Sequence, residues 1–257
     1  REGVDLELWV PNRTTHTSED PFDFYGVERN FAIRKINSFD AFRFEKYLGA
    51  LSFWLQSIIF LAKLASTKVE PNAVVYTRNA EIAWLFTLKG NRVAFEAHQW
   101  PVSKVWLYQR LLRKISYIIC NSKGTETEFK KHGFKNTLVS PNGVDISIFS
   151  KQGGNMRDVR ERLSLPLDKK IVMYTGHLYG WKGVDVIMDV AKLFISDQRV
   201  LFVLVGGTKK DIQKYQKFTE DEHLSNVLLC GHKAQREIPG YLFSADALLL
   251  PNIPISE

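Results

Sequence analysis

Ile171-Val172-Met173-Tyr174-Thr175-Gly176-His177-Leu178-Tyr179-Gly180-Trp181-Lys182-Gly183-Val184 is the stretch that decides the fold. Its first five residues form an apolar, β-rich run. Three glycines then interrupt it, and a helical stretch follows over Val184–Phe194. Strand, glycine turn, helix is the beginning of a βα unit. The same alternation runs through the whole chain. Strands are expected at Val4–Val10, Phe31–Ile36, Ala73–Thr77, Arg92–Ala97, Tyr117–Cys120 and Thr137–Ser140, then at Ile171–Thr175, Val200–Val205, Val227–Cys230 and Ala247–Leu250. Helices are expected between them, at about 43–66, 79–88, 103–115, 123–132, 183–195, 208–219 and 236–244. Such alternation implies right-handed crossovers and parallel sheets, hence an α/β fold. VVY, IVMYT, VLFVLV and ALLL are apolar throughout, as strands covered on both faces should be.

Pro141-Asn142-Gly143-Val144-Asp145 reads as a turn, and a polar stretch from Ser150 to Lys170 follows it. Two Rossmann-like domains, 1–142 and 143–257, are therefore expected, joined near 141–152. The second has only four strand candidates, fewer than a complete doubly wound domain, and is expected to be incomplete. Gly3–Val10 reads as a second strand rather than a first. Pro251-Asn252-Ile253-Pro254 leads to Glu257 as a proline-rich loop.

Parallel α/β sheets bind ligands at the carboxyl ends of their strands. Three consecutive strand ends carry glycine or a basic residue: Gly176-His177 with Gly180, Lys182 and Gly183; Gly206-Gly207; and Gly231-His232-Lys233. Glycine lets backbone approach a ligand, a helix N-terminus attracts anions, and Lys182 adds a full charge. Together they make one coherent rim suited to phosphate, the alternative for its first member being a glycine-rich strand-to-helix turn with a surface lysine. The spacing matches neither the dinucleotide GxGxxG nor the GK[ST] phosphate loop. In the first half, His98 follows strand 92–97 and Arg78 follows strand 73–77. His98 reads equally as an acid, base or hydrogen-bond partner, or as a capping histidine; Arg78 as a cleft cation or a surface residue.

Charge is uneven. The chain of 257 residues has 35 Lys and Arg against 28 Asp and Glu, a net +7. Residues 101–140 hold eight cations against Glu126 and Glu128, while the second half is nearly neutral. A basic surface attracts polyanions: nucleic acid, anionic lipid or a phosphorylated substrate. No aromatic–basic interleaving or reader module favours specific nucleic-acid binding. Cys120 and Cys230 each end an apolar run, without a CxxC partner, which fits a reducing compartment. The six histidines show no metal-ligand spacing, so no metal is expected, and no GxSxG marks a hydrolase elbow. The longest uncharged run, Tyr47–Ala62, is 16 residues, too short to span a bilayer. It reads as a core-facing helix, with an interfacial helix flanked by Arg43, Lys46, Lys63 and Lys68 as the alternative.

VVYTRNAEIAWL, VAFEAHQWP, YIICNSKGTETEFKKHG, VSPNGVDISIF, VMYTGHLYGWKGVDVIMDVAKL and NVLLCGHKAQREIPGYLFSADALLLPN, taken together, closely resemble the family 4 retaining nucleotide-sugar glycosyltransferases. The resemblance runs through most of the chain. It implies a GT-B fold, two Rossmann-like domains facing across a cleft, and sugar transfer from a nucleoside-diphosphate sugar to a glycan or lipid-linked acceptor. It implies no cofactor and no metal, with Lys182 on the donor diphosphate and His98 approaching the donor sugar. Gly176, His177, Gly180, Gly183, Gly206, Gly207, Gly231, His232 and Lys233 would surround the nucleotide, and Arg78 would lie on the acceptor side. His177 stands where many members have arginine. The family's N-terminal glycine-rich loop and its paired-glutamate motif are not found in the chain. The implied setting is cytoplasmic, peripheral on an anionic membrane surface through the basic first domain, in cell-surface polysaccharide or glycolipid synthesis. A nucleotide-sugar epimerase or hydrolase of the same fold, and a noncatalytic polyanion-binding module, are the alternatives.

Overall fold

The computed structural model describes residues 3–13, 19–150 and 153–253; Pro254 and Glu257, at the end of the proline-rich loop, lie outside them. The elements in order are β1 (Glu7–Pro11), α1 (Pro21–Tyr25), β2 (Ala32–Ile36), α2 (Glu45–Leu48), α3 (Ala50–Ser66), β3 (Val74–Thr77), α4 (Ala80–Leu88), β4 (Arg92–Ala97), α5 (Val105–Leu112), β5 (Tyr117–Cys120), α6 (Lys123–Lys131) and β6 (Thr137–Val139). Then come α7 (Ile146–Ser150), α8 (Met156–Arg162), β7 (Lys170–Thr175), α9 (Val184–Leu193), β8 (Val200–Val205), α10 (Lys209–Asp221), β9 (Val227–Gly231), α11 (Ile238–Ser244) and β10 (Ala247–Leu248). The chain divides into two units. One takes residues up to Asp20 and Glu28–Gly143; the other takes Pro21–Val27 and the chain from Val144 onward.

Every strand pairing is parallel, as the alternation requires. In the first unit the main sheet runs β3-β4-β5-β6, and β1-β2 form a separate two-stranded sheet. Trp9 of β1 joins the core edge-to-face with Phe86, at 6.4 Å. Val93 and Phe95 of β4, Ile118 of β5 and Phe129 of α6 are fully buried there. In the second unit the order is β10-β7-β8-β9, and β8 is buried from Leu201 to Val205.

Three expectations need correction. VVY and ALLL are not covered on both faces. β3 and β10 are edge strands, and Val74, Tyr76 and Leu248 are exposed. The polar stretch after Ser150 contains a helix, α8. Its N-terminus is closed by a capping box in which Asn155 and Asp158 each accept the other's backbone N–H. Helix 43–66 breaks at Gly49, whose φ is +50, and the stretch expected to face the core leaves much of its apolar surface exposed. α3 turns Ser52, Gln56 and Leu64 inward, with Gln56 accepting the Ala41 N–H, and leaves Leu51, Phe53, Trp54 and Ile58 exposed. Local hydrogen bonding to the preceding turn overrides the apolar spacing. Among the described residues, no helix is long and apolar enough to cross a membrane.

A charged knot ties the second unit together. The buried Arg160 of α8 donates to the carbonyls of Ser244 and Lys169 and to Asp246, at 2.7–3.0 Å. Asp246 also accepts from Lys170 and the Ile171 N–H. Burial pushes the Asp246 carboxyl up, but these donors outweigh it and hold it at about 2, against an ordinary 3.8. The unfolded chain therefore binds the proton more tightly. The stabilisation, about 2 kcal/mol, is complete near neutrality and is lost as pH falls below about 4 toward 2. Asp246→Asn is expected to lower stability at pH 7 by about that much and to flatten the acid limb of a urea-denaturation series. An unchanged acid limb would contradict this.

Candidate functional site

The donor-type rim predicted in the second half is assembled as one surface. The Gly176 N–H donates to the Val205 carbonyl (2.9 Å), and the Gly206 N–H donates to the Gly231 carbonyl (2.8 Å). The ends of β7, β8 and β9 are thereby locked side by side. Two glycines are required by close approach. Gly206, at φ +123, would drive a Cβ into the Gly176 carbonyl; Gly183, at φ +71, would drive one into the carbonyl of Pro251. Among the described residues, the N–H groups of His177, Gly207 and His232 have no backbone carbonyl partner.

Lys182 lies on a single 3-10 turn, Gly180–Lys182, directly before α9. Gly183 is the N-cap of α9 and offers no side-chain cap, so the first-turn N–H groups stay open to an external acceptor. Lys182 is half-buried, with its Nζ 4.1 Å from the Trp181 ring centroid, and has no carboxylate partner among the described residues. A full charge beside unfilled amides has the chemistry that suits a phosphate group.

The other rim residues are partly engaged. His177 stacks on Tyr179 at 4.9 Å and 8°, its carbonyl accepts from the Tyr174 hydroxyl, and its electrostatic partner is Asp211, at the N-terminus of α10. Its imidazole face is thus covered by the Tyr179 ring. Lys233 Nζ lies 5.7 Å from the Tyr241 ring centroid, and the nearby Tyr241 hydroxyl raises its pKa. Sequence reasoning missed the strap after β10. The Ile253 N–H donates to the Trp181 carbonyl at 2.9 Å, and Pro251 abuts Gly183. Only the proline-rich composition marked that segment as a loop.

In the first unit, Arg78 and His98 do come together, and Glu96, which the sequence offered only as a possible carboxylate partner of Glu81, joins them instead. Arg78 Nη2 lies 3.0 Å from His98 Nδ1, and His98 Nε2 lies 2.6 Å from Glu96 Oε1. A guanidinium can only donate, so Nδ1 accepts. The ring proton sits on Nε2 and is donated to Glu96. Burial raises the Glu96 carboxyl, but hydrogen bonds from His98 and Tyr76 and the nearby Arg78 charge bring it below its ordinary value. Arg78 is the exposed member: Nη2 meets His98, Nε lies 3.9 Å from Glu96 Oε2, and among the described residues Nη1 has no partner. With Phe95, Gln99 and Tyr108, these residues line an open pocket of about 260 Å³. Glu96 lies near the end of β4, two residues before His98; that i, i+2 spacing across the strand end was the available signal.

The comparisons with known proteins fit this geometry. Residues 155–255 match the family described as Glycosyl transferases group 1. Over 180 residues the chain is 25% identical to "Putative teichuronic acid biosynthesis glycosyltransferase TuaC" of Bacillus subtilis, covering 70% of this chain and 43% of that protein. It is also 25% identical over 115 residues to D-inositol 3-phosphate glycosyltransferase of Nocardiopsis dassonvillei, covering 42% of this chain and 26% of that one. The chain therefore spans less than half the length of either. Among solved structures, Anabaena HepE in complex with UDP-glucose superposes with a TM-score of 0.62 at 19% identity, over 84% of this chain and 59% of HepE. That likeness establishes the fold: α/β, with two Rossmann-like units, of the GT-B kind.

The tautomer assignment is testable. Imidazole ¹⁵N spectra are expected to show His98 as the Nε2–H tautomer at pH 7, and Arg78→Ala should remove the hydrogen-bond shift at Nδ1. A His98 that carries its proton on Nδ1 in the unmodified protein would contradict the arrangement.

Proposed function

We propose that this chain forms part of a glycosyltransferase that moves a sugar from a nucleoside-diphosphate sugar, a UDP-sugar in the first instance, to a glycan or lipid-linked acceptor. The observation that carries this reading is Lys182, half-buried and without a carboxylate, beside the uncapped N-terminus of α9. The match of residues 155–255 to a glycosyltransferase family, and UDP-glucose in a structural neighbour, support the same ligand class.

As the bond from the sugar to phosphate breaks, negative charge builds on the departing diphosphate. Lys182 and the α9 amides stabilise that charge more in the transition state than in the ground state. The reaction is metal-independent in this reading, and the nucleotide sugar is a substrate rather than a cofactor. The acceptor hydroxyl attacks from the face that the leaving group vacates, and the donor phosphate takes its proton. The configuration at the sugar is therefore retained. Gly206, Gly207 and Gly231–Lys233 hold the nucleotide through backbone. Arg78 presents hydrogen-bond donors to sugar or acceptor, and His98 and Glu96 fix its direction. An acceptor carried on lipid would bring the basic first unit to an anionic membrane surface on the cytoplasmic side.

A UDP-sugar at one hundred times its dissociation constant should stabilise the protein by about 2.7 kcal/mol, read as a thermal shift. Lys182→Ala should remove that shift and lower turnover by about 10²–10³, without loss of fold. Retained turnover in that variant would contradict the phosphate role. Sugar release or altered sugar nucleotide in the absence of acceptor would contradict transfer.

A further inference from the structure

A larger cavity, of about 440 Å³, lies elsewhere in the first unit. One wall is a stripe of α5 and the residue after it: Trp106, Gln109, Arg110 and Arg113, at i, i+3, i+4 and i+7. The other wall is the turn from α6 into β6, at His132, Gly133 and Phe134. The orientation of α5 is fixed from behind. Leu112 is fully buried, and Tyr108 and Leu111 pack on the core.

The chemistry of the walls points to an anion. Among the described residues, neither Arg110 nor Arg113 has a carboxylate or other hydrogen-bond partner. The neighbouring Lys130 and Lys131 are paired with Glu126 and Glu128. The unbalanced cations of the segment therefore include two guanidiniums lining one cavity. Their place at the end of α5 suits the helix dipole, but that interaction uses none of their N–H donors. A guanidinium fork matches phosphate or carboxylate oxygens. His132 is held rigid, stacked on Trp100 at 4.1 Å and 14°, with Nδ1 2.8 Å from the Glu128 carbonyl. A carbonyl only accepts, so Nδ1 carries hydrogen and Nε2 is left for a ligand. Trp106 is 69% exposed at the edge of the cavity, a flat apolar face of the kind on which a sugar ring stacks.

We infer that this cavity is a binding site for a sugar unit bearing a phosphate or carboxylate. The anionic group engages Arg110 and Arg113, and the ring lies against Trp106. The inference stands independently of the donor site, which belongs to the other unit.

The test is a titration of the full chain, followed by tryptophan fluorescence and by Arg side-chain NMR. The probes are glucose 6-phosphate, glucuronate, inorganic phosphate and glucose, with vesicles of phosphatidylglycerol or phosphatidylcholine as a separate arm. Glucose 6-phosphate and glucuronate should bind, glucose should not, and inorganic phosphate should bind more weakly. Arg110→Gln with Arg113→Gln should weaken binding tenfold or more, with UDP binding unchanged as the control for fold. Trp106→Ala should abolish the advantage of the sugar phosphate over inorganic phosphate. Arginine-dependent binding of the soluble sugars with no arginine-dependent vesicle binding assigns a soluble source. Added arginine-dependent binding to phosphatidylglycerol alone among the vesicles assigns the same anion chemistry to a lipid headgroup. Absence of binding by either sugar, or equal binding by the double arginine variant, would overturn the inference.

Discussion

The carbonyl of Gly176 occupies the space that a side chain on Gly206 would need, and the carbonyl of Pro251 does the same at Gly183. These two approaches set the spacing of the second unit's rim. Because backbone meets backbone there, the ends of β7, β8 and β9 lie close enough for Gly176 and Gly206 to hydrogen-bond laterally. The turn carrying Lys182 is drawn against the start of α9. Any Cβ at either glycine would force the rim open by van der Waals overlap, and both backbones lie in a region that side chains disfavour. The phosphate chemistry proposed for Lys182 depends on this backbone packing more than on any single charge.

The first unit solves a different problem. Its polar cluster is built from side chains rather than from backbone, and it is internally neutralised: Arg78 is balanced by Glu96 across a neutral His98. A histidine with both ring nitrogens engaged makes a poor free base but a good brace. The arrangement therefore shifts substrate contact in the proposed reaction from the histidine to the arginine. The histidine keeps its importance through the direction it gives the guanidinium.

Much of this was legible in the sequence. Arg92–Ala97, Tyr117–Cys120 and Val200–Val205 are strands to the residue, because long apolar runs ending at Gly, Asn or His leave few alternatives. The rim glycines could be read because strand-end glycines have a physical reason to be there. What could not be read depends on tertiary pairing. The i, i+2 spacing hinted at Glu96 beside His98, but nothing local told that Arg78, from the end of the neighbouring strand β3, would close on the histidine's other nitrogen. α3 presents Trp54 and Phe53 outward because Gln56 finds the Ala41 N–H, a contact no periodicity reveals. α8 was hidden because its stability comes from a reciprocal cap and a buried Arg160 rather than from an apolar stripe.

The central claim is that a nucleoside diphosphate sits on the glycine rim of the second unit. Amide hydrogen–deuterium exchange with and without UDP tests it most directly. Protection is expected in His177–Asp185, at Gly207 and across His232–Lys233, with the first unit's exchange unchanged. Unchanged exchange across those three segments at saturating UDP, or protection confined to the first unit, would contradict it.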